Sequence, residues 1–243
     1  HPELLDWLAQ EFVRQRWSLK EMHRLMMTSS VYRQSSRSRE SSEAPKSHDS
    51  GYEADPTNRL LSRMPLRRME AELLRDSLLL VAGQLDETRF GQGDAVTVRP
   101  DGLVLSGKRR SVYVQQLRKH PASLLESFDL PAMNPNCLQR TESLVAPQAL
   151  HLMNDAAVRE LARQFADRVR REAGDDPKLQ VQRAYWIALT RPPSDEELTD
   201  CLQTLTSLTE QWTKQAPAAE ASRKALATLC HTMMNSASFL YVD

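Results

Sequence analysis

The helical periodicity of residues 147–235 places the strongest constraint on the fold. From 147 to 173, leucine, valine and phenylalanine recur at the spacing that gathers side chains on one face of an α-helix, and this helix is predicted to be the longest. Similar segments follow at 175–191, 194–212 and 219–235, with short connections between them. Helices joined by short connections pack side by side. The sequence therefore predicts a mainly α fold, with these helices in a bundle.

Two amphipathic helices are predicted in residues 1–33. The second begins at a capping box, in which Ser18 precedes Glu21 by three positions, and Ser194 and Glu197 form another such box. In a capping box the serine hydroxyl accepts a hydrogen bond from a free backbone amide, and the glutamate reaches back to another. Helical spacing gives the first helix an apolar stripe of Leu5, Leu8 and Phe12, and the second a stripe, expected to be buried, of Leu19, Met22 and Met26.

Residues 34–54 are rich in serine and in charge of both signs, and they contain almost no aliphatic side chain. Such a stretch buries too little apolar surface to offset its conformational entropy, so a flexible internal loop is predicted. Two helices alone are too small to form a domain ahead of it. Residues 1–243 are therefore expected to form a single helical domain. Because the chain opens at His1 without a methionine, directly in a helical pattern, it is expected to be a processed or excised piece of a longer chain.

Several arginines lie in or before a helix predicted at residues 66–85. Glu70, Glu72 and Asp76 are within reach of several of them, so solvent-exposed ion pairs are expected on this face. The arginines are Arg59, Arg63, Arg67, Arg68 and Arg75.

A small β-insertion is predicted after this helix. Alternating runs, AVTV and LVL, flank the turn formers Pro100, Asp101 and Gly102, which is a pattern typical of a β-hairpin. Residues 111–115 are a candidate third strand. The insertion is therefore predicted to be either a hairpin or a three-stranded sheet.

Residues 109–154 form an irregular middle segment. They contain four prolines, at positions 121, 131, 135 and 147. Proline lacks the amide donor and disfavours helical geometry in the residue before it, so no long helix can run through this segment. Irregular segments held by rigid helices often carry binding or catalytic residues, although they also serve as plain connections.

The overall charge favours no particular partner, because lysine plus arginine and aspartate plus glutamate number 32 each. Nucleic-acid binding is therefore not predicted, and no apolar run approaches the ~20 residues that span a bilayer. Locally, no acidic residue lies between positions 101 and 126, and the basic residues there could hold a phosphate, sulfate or carboxylate. The candidate binding residues are Arg109, Arg110, Arg118, Lys119 and His120.

An alternative is that the arginines are internal anchors. Arg109 or Arg110 would then pair with an acidic side chain such as Asp129 or Glu142 and fix the irregular segment. A buried charge left without a partner is too costly to keep, so an anchor needs such a pair. We assign the anchor to Arg110 and the exposed contact to Arg109.

The weak candidates for catalysis in this segment are Asp129, Cys137 and Arg140. Glu126 lies three residues before Asp129, which would allow a carboxylate pair for acid and base chemistry. A pair of Cys137 with His120 or His151 is an alternative. Neither arrangement forms a recognisable motif. The cysteines and histidines are widely spaced and C-x-x-C-H is missing, so neither a metal site nor a bound cofactor is predicted in this chain.

A series of motifs, in this order and nearly from end to end, resembles one family, the planctomycete-specific domain of unknown function 1553. The motifs are HPELLDWLAQEFV, WSLKEMHRLMMTSSVYRQSS, DPTNRLLSRMPLRRMEAELLRDSLL, RRSVYV, FDLP with the following Cys137, PQALHLMN, RAYWIALTRPPSDEEL and NSASFLYVD. The resemblance implies that the chain is the C-terminal part of an exported, extracytoplasmic protein with a separate upstream cytochrome c domain, so haem is expected only there. It transfers no catalytic residues. Residues 89–107 depart most from the family pattern.

Two functional hypotheses follow. The first is an accessory binding or scaffold domain of an exported, cytochrome c-containing protein, in which the basic middle segment contacts upstream domains of the same polypeptide, or an anionic extracellular polymer or surface glycan. The second is an enzyme, either glycan-acting or redox-linked, that uses residues 109–154. A pocket joining Asp129, Cys137 and Arg140 would favour the enzyme, and a flat loop held by internal ion pairs would favour the binding domain.

Overall fold

A computed structural model describes residues 1–33, 57–60, 64–100, 102–117, 119–131, 140 and 143–242. The chain divides into two compact units, residues 1–67 and residues 68–242. The loop predicted at 34–54 lies outside the described residues. That the whole chain forms a single domain stays a prediction.

The first unit contains two helices, α1 (Pro2–Arg14) and α2 (Leu19–Thr28). The predicted start of α2 is confirmed, because the Ser18 hydroxyl accepts a hydrogen bond from the Glu21 amide at 3.3 Å. The buried stripe predicted for α2 is wrong except at Met22, since the side chain of Leu19 is 64% exposed. Two helices this short offer each other little surface, so each keeps much of its apolar face exposed.

Most of the described helical residues belong to the second unit. Strand β1 (Arg67–Arg68) spans the division between the two units, and the elements of the second unit follow it. In chain order they are α3 (Ala71–Val81), β2 (Thr97–Val98), β3 (Val104–Leu105), a 3-10 turn (Ser111–Tyr113), α4 (Ser123–Ser127), α5 (Ala146–Asn154), α6 (Ala156–Ala173), α7 (Pro177–Leu189), α8 (Asp195–Thr213), α9 (Ala218–Met234), α10 (Ala237–Leu240) and β4 (Tyr241–Val242).

The predicted bundle is confirmed by the packing of α6, α7, α8 and α9, in which α9 contacts both α6 and α8. Phe165 and Val169 on α6, Val181 on α7 and Leu226 on α9 are fully or almost fully buried in its core. The apolar face of α3 joins the same core through Leu74 and Leu78, which are also fully buried. The bundle therefore supports α3, which carries the irregular middle segment. No helix among the described residues is long and apolar enough to cross a membrane.

The single long helix predicted at 147–173 is wrong, because Asp155 divides it into α5 and α6. Asp155 ends α5 in an extended conformation, and its carboxylate accepts hydrogen bonds from the Ala157 amide at 2.7 Å and the Val158 amide at 3.0 Å. An aspartate at this position satisfies amides that have no partner within their own helix. The cap at Asp155 therefore begins a new helix, although the apolar pattern continues on both sides of it.

The predicted β-hairpin is confirmed. Strands β2 and β3 are antiparallel, with Thr97 opposite Leu105 and Val98 opposite Val104. Of the two predicted alternatives the structure has the hairpin, because the candidate third strand forms a 3-10 turn at Ser111–Tyr113, and Val114 makes one isolated parallel bridge to Asp94.

Candidate functional site

A buried arginine on α3 holds the chain that leads into the motif RRSVYV. The Arg75 side chain is 5% exposed, and its Nη1 donates to the Arg109 carbonyl at 2.9 Å and to Asp76 Oδ1 at 3.1 Å. Its Nε donates to the Ser106 hydroxyl at 2.8 Å, and its Nη2 donates to the Gly107 carbonyl. Burial lowers the pKa of Arg75, and the Asp76 carboxylate offsets part of this effect. Arg75 therefore fixes the backbone on both sides of Lys108.

Asp76 then turns the chain at Ser111. Asp76 Oδ1 accepts from the Ser111 amide at 2.8 Å and from its hydroxyl at 2.7 Å. The same hydroxyl lies 3.2 Å from the carbonyl oxygen of Glu72, one turn earlier on α3. Because Ser111 bonds to a helix and not to a neighbouring strand, the segment cannot extend the hairpin.

Arg109 is the second buried cation of this network. It is 9% exposed, and its Nε donates to Asp94 Oδ1 at 2.6 Å. Its Nη1 donates to the Phe90 carbonyl at 2.9 Å and its Nη2 to the Gln92 carbonyl. The guanidinium carbon also lies 4.8 Å from the centre of the Tyr113 ring. These contacts join the motif to the chain before the hairpin.

The structure reverses our assignment of the two arginines. An internal anchor exists as predicted, but it is Arg109 and its partner is Asp94, whereas Arg110 is exposed. The reason is that burial alternates at the start of the motif: Arg109 and Ser111 are buried and contact the supporting network, whereas Arg110 and Val112 are exposed. Val112 is 82% exposed.

The other candidate binding residues differ in what the structure describes. Lys119 and His120 are exposed, and Arg118 lies outside the described residues. No ion pair joins Arg110 or Lys119 to a residue that the structure describes. The exposed basic candidates are thus Arg110, Lys119 and His120, and their role in binding stays a prediction.

A second network holds Asp129 in the FDLP turn. Asp129 Oδ2 accepts from Arg68 Nη2 at 2.7 Å and from the Ser143 amide at 2.8 Å, and Oδ1 accepts from the Ser143 hydroxyl at 2.7 Å. Gln148 adds a contact of 3.3 Å to Oδ2. Burial raises the pKa of Asp129, but the hydrogen bonds from Ser143 and Arg68 outweigh it and hold this pKa below its usual value.

Asp129 also has a φ of 65°, in the left-handed region that a non-glycine residue rarely adopts. Its carboxylate contacts bridge the turn to Ser143 and so support this backbone conformation. The arrangement of Asp129 is that of a fixed structural acceptor, and its lowered pKa does not suit a proton donor at neutral pH.

The three candidate catalytic residues are not shown to share a site. Both terminal nitrogens of Arg140 contact Glu72, each at 2.8 Å, and Arg140 also lies 3.4 Å from Glu70. Asp129 pairs with Arg68, and Cys137 lies outside the described residues. Within the ranges that the structure describes, no three histidine, cysteine, aspartate or glutamate side chains are arranged to hold a metal ion.

The arginines that hold these networks were predicted to be solvent-exposed, and for Arg68 and Arg75 this is wrong. Their side chains are 8% and 5% exposed. Helical spacing contained a signal for Arg75, because Ala71, Leu74 and Leu78 place it on the buried face of α3. Asp94, the partner of Arg109, had no comparable signal, because it lies in an irregular stretch.

The chain is thus a mainly α protein in which a helical bundle supports an irregular segment fixed by buried ion pairs. The model of the PSD1 family, described as "Protein of unknown function (DUF1553)", matches residues 1–205, and the chain belongs to this family. No curated protein and no solved structure matches the chain.

Proposed function

We propose that the chain is a binding or scaffold domain, and that a face carrying the exposed Arg110, Lys119 and His120 contacts an anionic partner. The observation that carries this proposal is the alternation within RRSVYV. Arg109 and Ser111 are buried in the network centred on Arg75, whereas Arg110 and Val112 are exposed. A fixed backbone lets outward side chains contact a partner with a smaller loss of conformational entropy.

The internal ion pairs weigh against the enzyme hypothesis. Asp129 accepts several hydrogen bonds from protein groups, and Arg140 forms a two-pronged pair with Glu72. A catalytic acid, base or anion-binding group has to reach the reacting atoms, and groups held in this way are not available for that role. The described part of the middle segment is therefore better suited to presenting a surface than to chemistry.

The setting of the proposed binding domain rests on resemblance. In that setting the chain belongs to an exported, extracytoplasmic polypeptide whose haem lies in a separate cytochrome c domain. The anionic partner is then another domain of the same polypeptide, or an extracellular polymer or surface glycan. Exposed cations attract both kinds of partner, and the attraction weakens as salt screens it.

The test is retention of the protein on immobilised heparin, a sulfated polysaccharide, over a gradient of salt. The variant Arg110→Ala/Lys119→Ala is expected to elute at lower salt than the parent. The matched control, Arg171→Ala/Lys214→Ala, removes the same charge from exposed positions elsewhere and is expected to elute close to the parent. Equal shifts for both variants, or a parent protein that is not retained even at low salt, would contradict the proposal.

A further inference from the structure

Apolar side chains are exposed on the 3-10 turn that follows Arg110 and on α3. Val112 follows Arg110 by two positions and is 82% exposed. Leu73 and Leu80 on α3 are each 54% exposed. They are seven residues apart, so they lie on one side of the helix, opposite the buried Leu74 and Leu78. Isolated exposed leucines are ordinary, but exposed apolar side chains grouped next to charges are typical of interaction sites.

A hydrogen bond joins the residues that precede Val112 and Leu73 in sequence. The Ser111 hydroxyl lies 3.2 Å from the Glu72 carbonyl oxygen, and Val112 and Leu73 directly follow these two residues in sequence. The Ser111 amide also donates to Asp76 on the next turn of α3, in the direction of Leu80. The 3-10 turn that carries Val112 therefore lies against α3, next to the turns of the helix that carry Leu73 and Leu80.

The acidic side chains of α3 do not make this surface repel an anion. Glu72 pairs with Arg140, and Asp76 contacts both Arg75 and Ser111. Arg110 is exposed and has no ion pair with the residues that the structure describes. The 3-10 turn and α3 thus combine an exposed cation, which has no ion pair with the described residues, with exposed apolar side chains.

We infer that the partner of this face is a protein surface that carries apolar side chains bordered by carboxylates. This inference rests on the proposed binding function and names its class of partner. A polysaccharide could satisfy Arg110 and Lys119 through its anionic groups, but it would offer little apolar surface to Val112, Leu73 and Leu80. An acidic amphipathic protein segment offers both, because burial of apolar side chains adds to the attraction between opposite charges.

The test uses two synthetic helical peptides with the same number and positions of glutamates. One has leucines at positions i, i+3, i+4 and i+7, and the other has serines there. Affinity for the full chain is measured by fluorescence anisotropy. The leucine peptide is expected to bind roughly tenfold more tightly than the serine peptide, because it alone covers Val112 and Leu73.

Variants assign this difference to the surface. Leu73→Ser/Val112→Ser is expected to remove the preference, so that the leucine and serine peptides bind this variant with equal affinity. The control Leu150→Ser/Leu179→Ser, at leucines that are exposed on α5 and α7, is expected to keep the preference. All these side chains are about half or more exposed, so the substitutions leave the core intact.

Equal affinity for the two peptides would overturn the inference and would favour a partner recognised by charge alone, such as an anionic polysaccharide. Loss of the preference in the control variant would overturn it as well. Failure of the proposed function itself would give a different result. In that case Arg110→Ala/Lys119→Ala would change neither binding of the serine peptide nor retention on heparin. The two failures are therefore distinguishable.

Discussion

Replacing Arg75 by methionine tests whether the middle segment depends on its buried anchor. Methionine keeps much of the side-chain volume but removes every donor. The Arg109 and Gly107 carbonyls and the Ser106 hydroxyl would each lose a hydrogen bond, and Asp76 would lose a cation at 3.1 Å. The substitution therefore removes several polar contacts from one largely buried place.

The expected loss of stability is several kcal/mol. Breaking a buried ion pair by removing one partner costs about 3 to 5 kcal/mol, because the remaining groups stay buried without compensation. Asp76 is less buried than Arg75, and its oxygens keep their hydrogen bonds to Ser111, which favours the lower part of this range. In a chain of this size a loss of about 3 kcal/mol lowers the unfolding temperature by roughly 6 to 12 °C.

The assay is urea unfolding followed by circular dichroism, with thermal unfolding of the same samples. Arg171→Met serves as the control, because Arg171 is exposed on α6 and its replacement is expected to change stability by less than about 0.5 kcal/mol. The reasoning is refuted if Arg75→Met and Arg171→Met unfold at the same urea concentration.

Two further predictions concern the bundle. Asp155→Ala removes the cap of α6 and is expected to lower the free energy of unfolding by about 1 kcal/mol. Asp155→Asn is expected to keep most of the parent's stability, because asparagine also caps helices. Urea unfolding of both variants measures the difference. Hydrogen bonds from Arg191 lower the pKa of Glu197 from 4.5 to about 2, against the opposing effect of burial, with help from the Ser194 amide. Because this pKa is depressed in the folded state, the ionised Glu197 stabilises the fold above pH 4.5, and this contribution is lost as the pH falls towards 2. Glu197→Gln should therefore reduce the loss of stability between pH 4.5 and pH 2. An unchanged pH profile for that variant would show that the pair does not contribute.

Local capping signals allowed parts of the fold to be predicted from the sequence. Ser18 and Ser194 both accept the predicted hydrogen bond from a glutamate amide, because a capping box is formed by residues only three positions apart. The same kind of signal at Asp155 was missed, since the apolar pattern continues on both sides of it.

The candidate site was harder to predict because its contacts join residues that are distant in sequence. The pattern RRSVYV contains two adjacent arginines, and nothing local determines which one faces inward. That choice depends on Asp94, which lies 15 positions before Arg109 in an irregular stretch. Arg75 was closer to prediction, because its place on the buried side of α3 can be derived from helical spacing alone.

The central claim is that Arg109 anchors the segment, which leaves the exposed Arg110 for the proposed contact with a partner. The most direct measurement is thermal unfolding of Arg109→Ala and Arg110→Ala beside the parent. Arg109→Ala is expected to unfold at a clearly lower temperature, because Asp94 and the Phe90 and Gln92 carbonyls lose their donors. Arg110→Ala is expected to unfold with the parent. Equal unfolding temperatures for all three proteins, or a larger loss for Arg110→Ala, would contradict the account.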